Sequence, residues 1–168
     1  MMKIMGFAAA LLLLGSQAVD AVDPPLMKEG LWSIRNQSSN SPGGKKSDNT
    51  STICRSHAFD QHALQDAKSV KGCKTISESL QGNEYSIHSL CVAAGTEIDS
   101  KSTVTFKGDT AAHSESHATY NPAMAGITET TLIQDQKYLG SCPAGVQPGD
   151  ITQPDGSVVH TWKPTDLR

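Results

Sequence analysis

Residues Cys73 to Val92 read CKTISESLQGNEYSIHSLCV. Two runs of alternating apolar and polar residues flank Gln81-Gly82-Asn83-Glu84, and Gly82-Asn83 suits a two-residue hairpin turn because both residue types tolerate positive φ. With that turn Leu80 opposes Tyr85, Glu78 opposes Ile87 and Ile76 opposes Ser89. One face then gathers Ile76, Leu80, Tyr85, Ile87 and Cys91, as a half-buried antiparallel pair requires. Cys73 falls on the other face, which disfavours a direct Cys73–Cys91 bridge.

The same punctuation extends in both directions. Upstream, Gly30 to Arg35 predicts a strand, Gln37 to Asn49 with Pro42-Gly43-Gly44 a long hairpin loop, and Thr50 to Cys54 the returning strand. Ser56 is a suitable N-cap for a short helix through Lys68, with Phe59, His62, Ala63 and Ala67 at near-helical spacing. Downstream, Lys101 to Phe106 turns at Lys107-Gly108-Asp109-Thr110 into Ala111 to Tyr120. Asn121-Pro122 opens a loop, and Gly126 to Leu139 forms a last long strand. The fold class is therefore mainly β: an antiparallel meander of about six to seven strands, forming a curved sheet or half-barrel, with one short helix after the second strand. Residues 27–143 are expected to form one domain. Residues 144–168 carry Pro143-type punctuation at Gly145, Pro148, Gly149, Pro154, Gly156 and Pro164, and read as a flexible tail.

The start of the chain gives an address. Met1-Met2-Lys3 is followed by an apolar run from Ile4 to Leu14 and by small residues that permit cleavage after Ala18 or Ala21. That order is a signal peptide, residues 1–21, and about 11 apolar residues are too few to cross a bilayer core that needs about 20. The expected destination is periplasmic or secreted, with no transmembrane segment in the mature chain. Removing residues 1–21 takes away Lys3 and Asp20 together, so the net charge of −3 persists. This mild balance gives no electrostatic basis for binding nucleic acid. Apolar residues make up 37% of the chain, and the first 21 residues are the richest stretch, so the remainder has little material for a core.

Four cysteines, Cys54, Cys73, Cys91 and Cys142, compensate. An even set in an oxidising compartment reads as two disulfides, each worth about 2–4 kcal/mol. The short C-x₂₋₄-C spacing of a zinc site is absent. With Cys73 and Cys91 on opposite hairpin faces, elimination favours Cys54–Cys73 and Cys91–Cys142.

These features together resemble a known family. They are the exported start, Gly30-Leu31-Trp32, Thr52-Ile53-Cys54-Arg55, the Cys73–Cys91 hairpin, Thr103-Val104-Thr105-Phe106-Lys107-Gly108-Asp109 and Tyr138-Leu139-Gly140-Ser141-Cys142-Pro143. In order and spacing they resemble the bacterial domain of unknown function family 3617 over about residues 27 to 143. The resemblance implies a small exported, predominantly antiparallel β protein with four cysteines. It brings no reaction and no site. Ser33 stands where members usually carry an acidic residue, and the tail runs beyond the matching part.

No motif assigns chemistry. His113 and His117 form an H-x₃-H pair, but on a strand four residues span about 13 Å, too far to share one zinc ion. His57 and His62 diverge on the expected helix, and His88 faces away from Tyr85 and Ile87. No G-x-S-x-G elbow, C-x-x-C pair or phosphate cradle is present. Glu78 and Glu84 flank a turn, where carboxylates are ordinarily solvated. Asn36-Gln37-Ser38 and Asn49-Thr50-Ser51 match glycosylation triplets, which matter only in a eukaryotic secretory pathway. No catalytic, cofactor or metal residue is assigned. The expectation is a non-enzymatic protein whose curved sheet holds a small apolar ligand or a cell-envelope component. The alternatives are a structural or interaction protein with a filled core, or a hydrolase or metal-binding protein built from scattered residues.

Overall fold

A computed structural model describes residues 22–162; the expected signal peptide and its cleavage positions lie outside them. The described chain is one antiparallel sheet with a single helix. Its elements are β1 (Gly30–Ser41), β2 (Lys46–Arg55), α1 (His57–Lys68), β3 (Cys73–Gln81), β4 (Glu84–Ala93), β5 (Thr96–Lys107), β6 (Ala111–Met124), β7 (Ile127–Gly140), β8 (Asp150–Thr152) and β9 (Val158–His160). The sheet order is β3-β4-β5-β6-β7-β1-β2-β8-β9. The antiparallel sheet and its single helix after β2 are as expected, but the order is not a simple meander: the chain crosses through α1 from β2 to β3 at the far edge, β7 returns to pair with β1, and nine strands replace six to seven.

Several strands are longer than the sequence pattern suggests, for two reasons. Residues 37–49 are not a loop: β1 runs to Ser41 and β2 starts at Lys46. Both faces of this segment are polar, so it carries no hydrophobic period, and its strand character comes from ladders to β2 on one side and β7 on the other. Likewise β5 starts at Thr96, after a tight turn in which Ala94 and Gly95 both have positive φ (48° and 80°). The β6–β7 turn repeats this with Ala125 and Gly126, and β6 continues through Asn121-Pro122 with a register shift. Alanine is an unusual first residue for such a turn, which is why the sequence does not announce either hairpin. The helix begins where predicted: Ser56 caps it, accepting the Phe59 N–H at 3.2 Å.

The disulfides differ from expectation. They join Cys54 to Cys142 and Cys73 to Cys91, with none left free. The turn register is as read, with Leu80 opposite Tyr85 and Glu78 opposite Ile87. A bulge between Thr75 and Ser77 then makes Ile76 the extra residue, so that Cys73 lands opposite Cys91 and Ile76 is pushed outward, 47% exposed. One inserted residue reverses which side chains share a face. In the chain-entropy account the bridges across 88 and 18 residues are worth about 4.6 and about 3.2 kcal/mol.

The expected tail is ordered through Trp162. Gly149 donates its N–H to the Cys54 carbonyl, β8 pairs with β2, and β9 pairs with β8. Trp162 is buried against Phe59, ring centres 6.0 Å apart, and a Cβ on Gly149 would lie 2.8 Å from the Trp162 Cβ. Three-residue strands are too short to show periodicity. The Cys54–Cys142 bridge places this segment beside the free edge of β2, which lowers the entropic cost of pairing there.

Between Asp60, which binds Arg55 of β2, and Lys68, which binds Glu78 of β3, the helix rises about 12 Å. On a flat sheet those strands, six positions apart, would be separated by about 29 Å. The sheet therefore curls toward α1, giving an inner face that carries Trp32 and an outer face. Met27, Trp32, Tyr85, Phe106 and Ala112 form the buried cluster, with Ile34, Ile53, Leu80, Ile87, Val104 and Tyr138 packed against it. Trp32 is fully buried. Its Nε1 donates to the Lys28 carbonyl at 2.9 Å, Tyr138 meets it edge-on, and the Arg55 guanidinium lies 5.0 Å over its ring.

Candidate functional site

Although α1 lies across the inner face, none of its residues is buried. Beneath it is an open cavity of about 1070 Å³. Phe59 and Leu64 line it from above, and Ile34, Ile53, Val104 and Phe106 from the sheet. The segment before β1, from Asp23 to Met27, forms one wall. It is held by a Lys28 N–H to Asp109 carbonyl bond and by the contact of His57 Nε2 with the Met27 carbonyl. No helix among the described residues is long and apolar enough to cross a membrane.

Two polar groups border this space. At the β2 side, Arg55 donates from Nε and Nη2 to the two Asp60 oxygens, each at 2.9 Å, and from Nη1 to Gln136 Oε1 at 2.9 Å. The chain continues as Gln136 to Gln134 and Gln134 to Asn36, the latter at 2.8 Å. This network crosses β7 and β1 on the inner face, because Ile34 pairs with Gln136 and Asn36 with Gln134. At the β3 side, Glu78 accepts from the Tyr85 hydroxyl and from Lys68 Nζ, and Lys68 also lies 3.6 Å from Asp23.

Glu78 is a second departure from expectation. Its side chain is only 8% exposed, not solvated, since it points into the inner face one row from Leu80. Burial pushes its carboxyl upward in pKa, but the bonds from Tyr85 and Lys68 outweigh that and hold it below the usual carboxylate value. Burial, and then the adjacent Glu78 carboxylate, raise the Tyr85 phenol well above its ordinary value. The hydrogen bond to Glu78 raises Lys68 against the opposing effect of burial. These shifts favour the charged forms of Glu78 and Lys68 and the neutral form of Tyr85.

The histidines are dispersed. His113 and His117 lie on the outer face of β6, opposite Asp135 and Thr131 of β7. His113 contacts Asp135 at 2.7 Å and Glu115 at 3.2 Å, and those hydrogen bonds, Asp135 foremost, raise its pKa. A smaller hollow of about 370 Å³ adjoins His113 and Asp135. His88 pairs with Asp99, and His62 stands 3.1 Å from Asp66. Among the described residues no three His, Cys, Asp or Glu side chains converge on a metal position.

Sequence reasoning identified the strands that build the cavity but missed its polar groups. Arg55 and Asp60 straddle the helix cap, and Asn36 and Gln134 are 98 residues apart in the chain.

A comparison with curated proteins gives no match. The family model described as "Protein of unknown function (DUF3617)" matches residues 27–142. The match begins at Met27 in the cavity wall and ends at Cys142, so it includes both disulfides and excludes β8 and β9. The chain belongs to the DUF3617 family.

Proposed function

We propose that this is a non-enzymatic binding protein, exported from the cytoplasm, which holds an apolar or amphipathic small molecule of the cell envelope between α1 and the inner face. One observation carries this reading. A helix packed on a sheet normally buries its apolar face, yet Phe59 and Leu64 border an open volume of about 1070 Å³ and no α1 residue is buried. A ligand in that space would supply the missing packing, and its size suits a molecule of drug or lipid-tail dimensions. Export is supported by the first 21 residues and by the two disulfides, which persist in oxidising compartments.

The test is native mass spectrometry of protein purified from its own compartment, paired with titration of the neutral fluorophore N-phenyl-1-naphthylamine. A mass adduct released on denaturation and saturable fluorescence are expected. Val104→Trp fills the cavity and should abolish fluorescence while keeping the protein folded. No adduct and no saturable binding would overturn the reading. N-terminal sequencing of the same sample should give a start at Val19 or Val22, and retention of Met1 would refute export.

A further inference from the structure

Resting on that binding reading, we propose that the ligand is an uncharged amphiphile: its apolar part lies under α1, and a hydroxyl- or amide-rich headgroup lies along an uncharged trough on the inner face. Strand register assigns every side chain of the four central strands to a face, because directly opposed residues share one. On the inner face, from Trp32 to Asn40, Ile98 to Phe106, Ala112 to Tyr120 and Thr130 to Tyr138, no residue is charged. On the outer face the same strands carry Arg35, Asp99, Lys101, Glu115, Asp135 and Lys137.

The exclusion outlasts the core. Moving along the strands from the row of Phe106, the next rows hold Ser114 and Gln134, then Ser102 and Ser116, then Ser100. Rows are about 7 Å apart, so the uncharged surface continues about 20 Å past Phe106. Ser102 and Ser116 bond each other at 2.8 Å, and Gln134 bonds Asn36. A sheet face that only met water would tolerate charge as the outer face does. A face that must shed water onto a neutral partner would not, since an unpaired charge there is costly.

The cavity itself agrees. Its two lining cations are already matched, Arg55 by both oxygens of Asp60, and Lys68 by Glu78 and Asp23. An anionic headgroup would find no unmatched positive partner. Hydroxyls and amides both donate and accept, and they match a headgroup that does the same.

The test compares n-dodecyl maltoside, dodecanoate and dodecyltrimethylammonium, one chain with three headgroups, by calorimetry below their micellar concentrations. The maltoside should bind about tenfold more tightly than either ion. In Asn36→Leu/Gln134→Leu that ratio should fall to about threefold or less. Ser116→Val, a substitution that strands favour, is the second variant if the first does not fold. Equal or tighter binding of either ion overturns the inference, as does a ratio unchanged in the folded variants. If naphthylamine binds but headgroups are not distinguished, only this inference fails. If neither naphthylamine nor any dodecyl compound binds, the proposed function fails with it.

Discussion

The two faces of the central sheet are built from the same strands and obey different rules. On the outer face charge is abundant and pairs across strands: Arg35 with Asp48 at 2.6 Å, His113 with Asp135 at 2.7 Å. These side chains are about half exposed, so water screens them and the pairs add little to stability. On the inner face the apolar cluster, the amide chain and the hydroxyl rows are uncharged, and the charged residues at its margins are matched in partly buried pairs. The outer face presents solvated charge. The inner face holds it together at one end and is left open at the other.

That contrast can be broken by substitution. Trp32→Ala should have the largest effect, a loss of about 3–5 kcal/mol in chemical denaturation, because it removes the one large side chain that is fully buried among the described residues. A loss below about 1 kcal/mol would show that the inner cluster is not the core. Arg55→Met should cost about 2–3 kcal/mol, since Asp60 keeps its carboxylate at a site where its side chain is 18% exposed and no cation remains. Adding Asp60→Leu should recover most of that loss. If the double variant is instead as unstable as the sum of the singles, the pair is not coupled.

On the outer face the effects should be smaller and visible mainly in titration. His113 should titrate above the ordinary histidine range by NMR, because Asp135 and Glu115 favour its charged form, and Asp135→Asn should bring it down. A raised histidine pKa stabilises the fold below the unfolded-state value and loses that contribution as pH rises through the folded-state value. The difference between wild type and Asp135→Asn should therefore be present at mildly acidic pH and vanish in alkali. The opposite pH order would refute the assignment. Last, the double variant Arg35→Gln/Asp48→Asn should leave the denaturation midpoint unchanged at physiological salt. A measurable fall there would give the outer pairs a structural weight that their exposure denies them.

The legibility of this fold varies from element to element. The β3–β4 hairpin was readable because Gly82-Asn83 and the flanking alternation agree, and α1 because Ser56 caps it. The bulge at Ile76 was not, since nothing local marks it, and with it went the disulfide pairing. The cavity was expected only as a property of curved sheets. Its polar lining depends on contacts between residues nearly a hundred positions apart.

Composition and local pattern by themselves determined an antiparallel β fold with one helix among the described residues and two disulfides, because each rests on short-range turn chemistry, periodicity or parity. Tertiary structure alone decided which cysteines meet, that the polar end of β1, the polar start of β2 and the tail beyond Cys142 join the sheet, and that α1 stands off from its floor. Those features arise from ladder pairing, covalent closure and the curl of nine strands, which act across the whole chain and leave no mark on neighbouring residues.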